Sequence, residues 1–84
     1  MSHRLLIVTA VQAEADAIGK PRGAIVIAGG IGRTNAAITT TASILTDGPF
    51  DWIINAGVAG ALPESGLQIG DVVIANKCVY AEEG

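Results

Sequence analysis

The chain has 84 residues, of which half are hydrophobic and 15% charged, with a formal net charge of −3. That aliphatic content excludes a disordered segment, and five scattered basic residues with no stripe exclude a nucleic-acid binder. No apolar run is long enough to span a bilayer, the opening residues lack the apolar stretch of a signal peptide, and the lone Cys78 rules out an internal disulfide, so a cytoplasmic protein is expected, with no membrane partner.

Residues 4–9 form a continuous apolar run, as in a strand buried on both faces. Helical spacing begins after it: Val11, Ala15 and Ile18 fall on one face of a helix over 10–18. Thr9 is the expected N-cap, and Glu14 lies near the helix start. Residues 19–23, Gly-Lys-Pro-Arg-Gly, break that helix. A second strand covers 24–28, and Gly29-Gly30-Ile31-Gly32 turns the chain into a second helix over 34–46. Ile38, Ala42 and Leu45 give this helix its expected packing face, while Thr39-Thr40-Thr41 lowers its propensity. Asp47-Gly48-Pro49 stops it; a third strand follows over 52–55 and a fourth over 71–75. The alternation predicts a layered α/β fold with a mostly parallel sheet. With three aromatic residues, the core must be built from Ile, Val, Leu and Ala. The whole of 1–84 reads as one domain, and an incomplete one, because strands buried on both faces need more covering than so short a chain supplies.

The chemistry-bearing signals are few. Gly30-Ile31-Gly32-Arg33-Thr34-Asn35 follows a strand and opens a helix, as a dinucleotide fingerprint does, but Asn35 stands where that motif needs Gly or Ala. No Walker lysine follows any glycine turn. His3 and Cys78 cannot make a zinc site of usual composition, and no metal or other cofactor is expected. Arg33 could meet an anion at the glycine turn, although a solvated residue at the helix start is the favoured reading. Asp71 reads as a turn residue ahead of a strand. Glu14 is the best candidate for chemistry: the helix N-terminus favours its ionised form, and an ionised carboxylate can orient a water and take its proton. On position alone, a surface carboxylate that merely complements the helix dipole is the stronger reading. The glycine-alanine loop Asn55-Ala56-Gly57-Val58-Ala59-Gly60, at the C-terminal end of a strand, lets a flat ligand lie against bare backbone, and that edge of an open α/β sheet is where ligands bind.

Four segments in this order resemble the nucleosidase and nucleoside phosphorylase superfamily: Leu6-Ile7-Val8-Thr9-Ala10-Val11 with Glu14 beyond it, Gly29 to Ala37, Ile54 to Gly60, and Ile69-Gly70-Asp71-Val72-Val73. The resemblance implies the N-terminal portion of a three-layer phosphorylase/hydrolase-like fold with a mixed, mostly parallel central sheet. It also implies hydrolysis of the N-glycosidic bond of a purine nucleoside, a small-molecule partner, and a homo-oligomer. Glu14 matches the position that holds the attacking water, while Val11, Ile31, Val58, Ala59 and Gly60 match positions lining the ribose and base pocket.

Within the superfamily the chain looks most like the futalosine hydrolases of menaquinone biosynthesis, which release hypoxanthine. Val58 stands where methylthioadenosine/S-adenosylhomocysteine nucleosidases usually carry serine, and those nucleosidases are the alternative. A non-catalytic remnant serving as a binding or assembly module is the other alternative. A phosphorylase would need cationic groups around its phosphate, and only Arg33 lies near a glycine turn. Two departures stand out. The family has further strands between the first helix and the Gly-Ile-Gly turn, where this chain has only 19–23. Its second half supplies the acid that protonates the purine and the carboxylate that grips the ribose, and these residues are not in the 84. The chain alone is therefore expected to be inactive and prone to associate.

Overall fold

The computed structural model describes residues 3–79. Three parallel strands, β1 (Leu5–Thr9), β2 (Ala24–Ala28) and β3 (Trp52–Asn55), form a sheet in the order β2-β1-β3. Helix α1 (Gln12–Ile18) connects β1 to β2, and α2 (Arg33–Asp47) connects β2 to β3. A short 3-10 turn spans Pro63–Ser65. The expected strands at 4–9, 24–28 and 52–55 all form, the first beginning one residue later, and the α/β class is as predicted.

Register follows from the central position of β1. Leu5 pairs with Ala24 on one side and Trp52 on the other, and Val8 with Ile27 and Asn55. The first connection leads from β1 to one neighbour, and the second crosses back over β1 to the other. With right-handed crossovers this reversal sets the two helices on opposite faces. Both faces of β1 are thus covered: Leu6 is fully buried, with Ile7, Val8 and Ala15 of α1 completing the apolar core. The reversal also makes the C-terminal ends of β1 and its neighbours the point where a crevice opens in folds of this kind.

Three expectations are corrected. Thr9 does not cap α1: Val11, in extended backbone, occupies the cap position, and the Thr9 hydroxyl donates to the Val11 carbonyl at 3.1 Å. The Ile38-Ala42-Leu45 face of α2 does not pack, with Ile38 62% and Leu45 82% exposed. The helix turns Ala36, Thr39, Thr40 and Ser43 inward instead, and only Ser43 is fully buried. Small side chains let it approach Gly29 so closely that a Cβ there would lie 2.6 Å from Thr39 Oγ1. Residues 71–75, expected as a fourth strand, form no strand and are exposed, with Val72 and Ile74 at 87% and 90%. A strand needs a ladder partner, and the sheet among the described residues pairs 71–75 with none. Tyr80, Glu82 and Glu83 lie outside the described residues.

The amino end of the sheet is closed by side chains. The Arg4 backbone amide donates to Asp51 Oδ2 at 2.7 Å, the Arg4 guanidinium donates to the Pro49 carbonyl at 2.9 Å, and it stands 5.1 Å from the centre of the Phe50 ring. Among the described residues no helix is long and apolar enough to cross a membrane.

Candidate functional site

The site is built from backbone at the carboxyl ends of β1, β2 and β3. Glu14 is the third residue of α1, within its first turn, and its side chain reaches back over the β1–α1 connection. Oε1 accepts from the amides of Ala10 at 3.1 Å and Val11 at 3.3 Å. Oε2 accepts from the amide of Val58 at 2.9 Å, across the sheet in the loop after β3. The Val11 contact is the carboxylate half of a capping box; valine has no side-chain acceptor with which to complete the other half. One carboxylate therefore caps a helix and ties two loops together.

The electrostatics follow from that geometry. The Val58 amide above all, then that of Val11, hold the Glu14 carboxyl below its ordinary pKa against the opposing effect of burial, with the Ala10 amide contributing least. Glu14 is ionised at neutral pH. A carboxylate offers about four acceptor positions; the three amides take three, two on Oε1 and one on Oε2, which leaves Oε2 able to accept one hydrogen bond more. The approach at Oε2 is close: a Cβ on Gly57 would stand 3.1 Å from it.

The loop after β2 extends this arrangement. Gly29 N–H donates to the Thr9 carbonyl and Gly30 N–H to the Ala10 carbonyl, both at 2.9 Å. Gly30 and Gly32 have φ of 103° and 94°, a region that disfavours side chains, so the turn into α2 depends on both glycines. Asn35, which spoils the dinucleotide fingerprint, donates from Nδ2 to the Ile31 carbonyl at 2.8 Å. Beside this turn lies a cleft of about 260 Å³ lined by Val8, Thr9, Ala10, Gly30, Gly32, Arg33, Ala36 and Asn55. A larger cavity of about 460 Å³ lies between α1 and the outer edge of β2. It contains no residue of the Glu14 bridge, and its Asp16 accepts from Gln12 Nε2 at 2.9 Å. The smaller cleft, lined by the ends of β1 and β3 and the glycine turn after β2 and including Ala10 of the bridge, is the better candidate.

Of the residues picked from sequence, Glu14, Val11 and Val58 are brought into direct contact through the carboxylate. The Val58 side chain itself is 88% exposed, so its contribution here is its amide. Ile31 sits on the turn bonded to Ala10, with an exposed side chain. Ala59 and Gly60 are exposed beyond Val58, away from the cleft lining. Sequence reading passed over Ala10 and Asn55. Ala10 acts only through its peptide groups, which leave no trace in residue type. Asn55 was read as a strand terminus; a polar residue ending an apolar strand at a sheet's carboxyl edge was the available signal.

A family model described as the phosphorylase superfamily matches residues 7–84. The 5'-methylthioadenosine/S-adenosylhomocysteine nucleosidases of Staphylococcus aureus strains JH9, Newman and COL are each 49% identical to this chain over 61 residues, which is 73% of the chain and 26% of the relative. The chain thus spans about a quarter of the length of the curated relatives it matches. No solved structure matches.

Proposed function

We propose, from the premise that this chain belongs to the phosphorylase superfamily, that it supplies the water-holding part of a nucleosidase site that cleaves the N-glycosidic bond of a purine nucleoside. The observation that carries this reading is the Glu14 carboxylate, ionised and pinned by three backbone amides between the loops after β1 and β3, with one acceptor position left on Oε2.

In the reaction, the bond from the ribosyl carbon to the purine nitrogen breaks and its electron pair leaves with the base. The carbon gains positive charge, as at a glycosidic centre. A water whose hydrogen is accepted by Oε2 is oriented for attack, and the fixed negative charge favours the developing cation. As the new carbon–oxygen bond forms, the water's proton passes to the carboxylate side. The departing purine also needs a proton from an acid, and no carboxylate is among the described residues lining the cleft. The 84 residues by themselves are expected to be inactive.

For the substrate, the names of the relatives favour methylthioadenosine or S-adenosylhomocysteine over futalosine. The futalosine reading rests on Val58 in place of serine and on the Asn55-Ala56-Gly57 lead-in. The test is purine release from the three nucleosides at equal concentration, with the polypeptide that carries these residues expressed at its full natural length. Adenine release from methylthioadenosine or S-adenosylhomocysteine is expected to dominate. Preferential hypoxanthine release from futalosine would reverse the substrate assignment. A folded protein that releases no purine from any of them would sink the nucleosidase reading and leave the binding or assembly module.

A further inference from the structure

Two consecutive peptide groups stand between the glycine turn and Glu14. In the first, the Thr9 carbonyl accepts from Gly29 N–H while the Ala10 N–H donates to Glu14 Oε1. In the second, the Ala10 carbonyl accepts from Gly30 N–H while the Val11 N–H donates to the same oxygen. Each peptide is thus polarised at its oxygen and donating at its nitrogen, and hydrogen bonds linked through one peptide strengthen one another. What holds the two glycines is α2. Asn35 Nδ2 fixes the Ile31 carbonyl at 2.8 Å, and Asn35 lies against Gly30 so closely that a Cβ there would be 3.0 Å from Nδ2. Thr39 packs on Gly29, with its hydroxyl 3.4 Å from the Gly29 carbonyl, a weaker contact.

We infer that Asn35 is a positioning residue for Glu14: by locking the Gly30-Ile31-Gly32 turn onto α2 it sets the two glycine amides that align the peptide donors of the carboxylate. The consequence for catalysis rests on the nucleosidase reading above; the positioning itself does not. The position that disqualifies a dinucleotide fingerprint thereby gains a reason. A small residue there lets the helix pack closely on the strand, whereas asparagine uses its amide to close the turn on itself.

The test compares Asn35→Leu and Asn35→Ser with the parent, in the polypeptide of full natural length. Leucine keeps the γ-branched shape and donates nothing. Serine is smaller but can donate to the carbonyl four residues back, which is that of Ile31. Two readouts are taken: the titration of the Glu14 side-chain carboxyl by ¹³C NMR, and kcat and KM for purine release. Asn35→Leu is expected to move the Glu14 titration upward and to lower kcat about tenfold, within the loss that a misplaced group produces, with KM nearly unchanged; Asn35→Ser restores both. An unchanged Glu14 titration in Asn35→Leu overturns the inference whatever the activity. A shift that serine fails to restore also overturns it, since packing rather than the donated hydrogen bond would then be responsible. A shift restored by serine in a protein that turns over no nucleoside upholds the positioning and removes the nucleosidase reading. If Asn35→Leu does not fold, Asn35→Ala makes the same comparison.

Discussion

The two ends of the same three strands are closed by different means. At the amino end, the exposed Asp51 carboxylate accepts from the Arg4 backbone amide, and the exposed Arg4 guanidinium reaches the Pro49 carbonyl and the Phe50 ring. Solvent screens such charges, and each exposed pair contributes at most about 1 kcal/mol. At the carboxyl end one carboxylate gathers three backbone amides from two loops. Backbone donors cannot change rotamer, so they hold a charge in one place at little entropic cost. The contrast separates an arrangement that closes a sheet from one that aims a reactive group.

The sharpest way to break this comparison is to neutralise its carboxyl end. Glu14→Gln should lower kcat about 10²–10⁴-fold in purine-release assays, the range for losing a general base. The amide also turns an N–H₂ toward an N–H donor, so thermal unfolding should register a loss as well. A near-parental kcat would make Glu14 a structural clamp only. A smaller effect is expected from Gly57→Ala, which places a Cβ 3.1 Å from Oε2 and must displace the carboxylate by a few tenths of an ångström. About a tenfold fall in kcat with an unchanged fold is anticipated, since small misplacements are costly; unchanged kinetics would show that Oε2 does not hold the water.

Acid titration sharpens the contrast further. The folded-state pKa of Glu14 lies below the unfolded value. Its contribution to stability is therefore fully present above the unfolded value and is lost as pH falls through the lower, folded one. The gap in Tm between parent and Glu14→Gln should close over that acidic window, and a gap independent of pH would contradict the role of the three amides. The smallest effect belongs to the amino end: Asp51→Ala should cost no more than about 1 kcal/mol in denaturant unfolding and leave kcat unchanged. A large loss of activity there would dissolve the distinction between the two ends.

Much of this was legible in the residue order. The apolar run of β1 and the two glycine turns marked the sheet, and Glu14 was visible as a carboxylate at a helix start. The inward face of α2 was not. Hydrophobic spacing pointed to Ile38, Ala42 and Leu45, but closeness of approach to Gly29 selected Thr39 and Ser43, and size overrode hydropathy there. The unpaired state of 71–75 was hidden because a strand is a property of two segments, and the pattern reports one. The amides that hold Glu14 were hidden for another reason, since every residue but proline carries the same N–H.

The central place of β1 has a consequence for the order in which the chain can be completed. Leu5 is paired with Ala24 and with Trp52. β1 therefore leaves the ribosome before either of the strands that satisfy its two edges. At about 5–20 residues per second, several seconds pass between its emergence and that of β3. Over that interval the most apolar segment of the fold, Leu5 to Val8, has one edge open and one face uncovered. Non-local parallel pairing of this kind is slow to form. Synthesis rate and chaperone capture should therefore govern the yield of folded protein more than its final stability does.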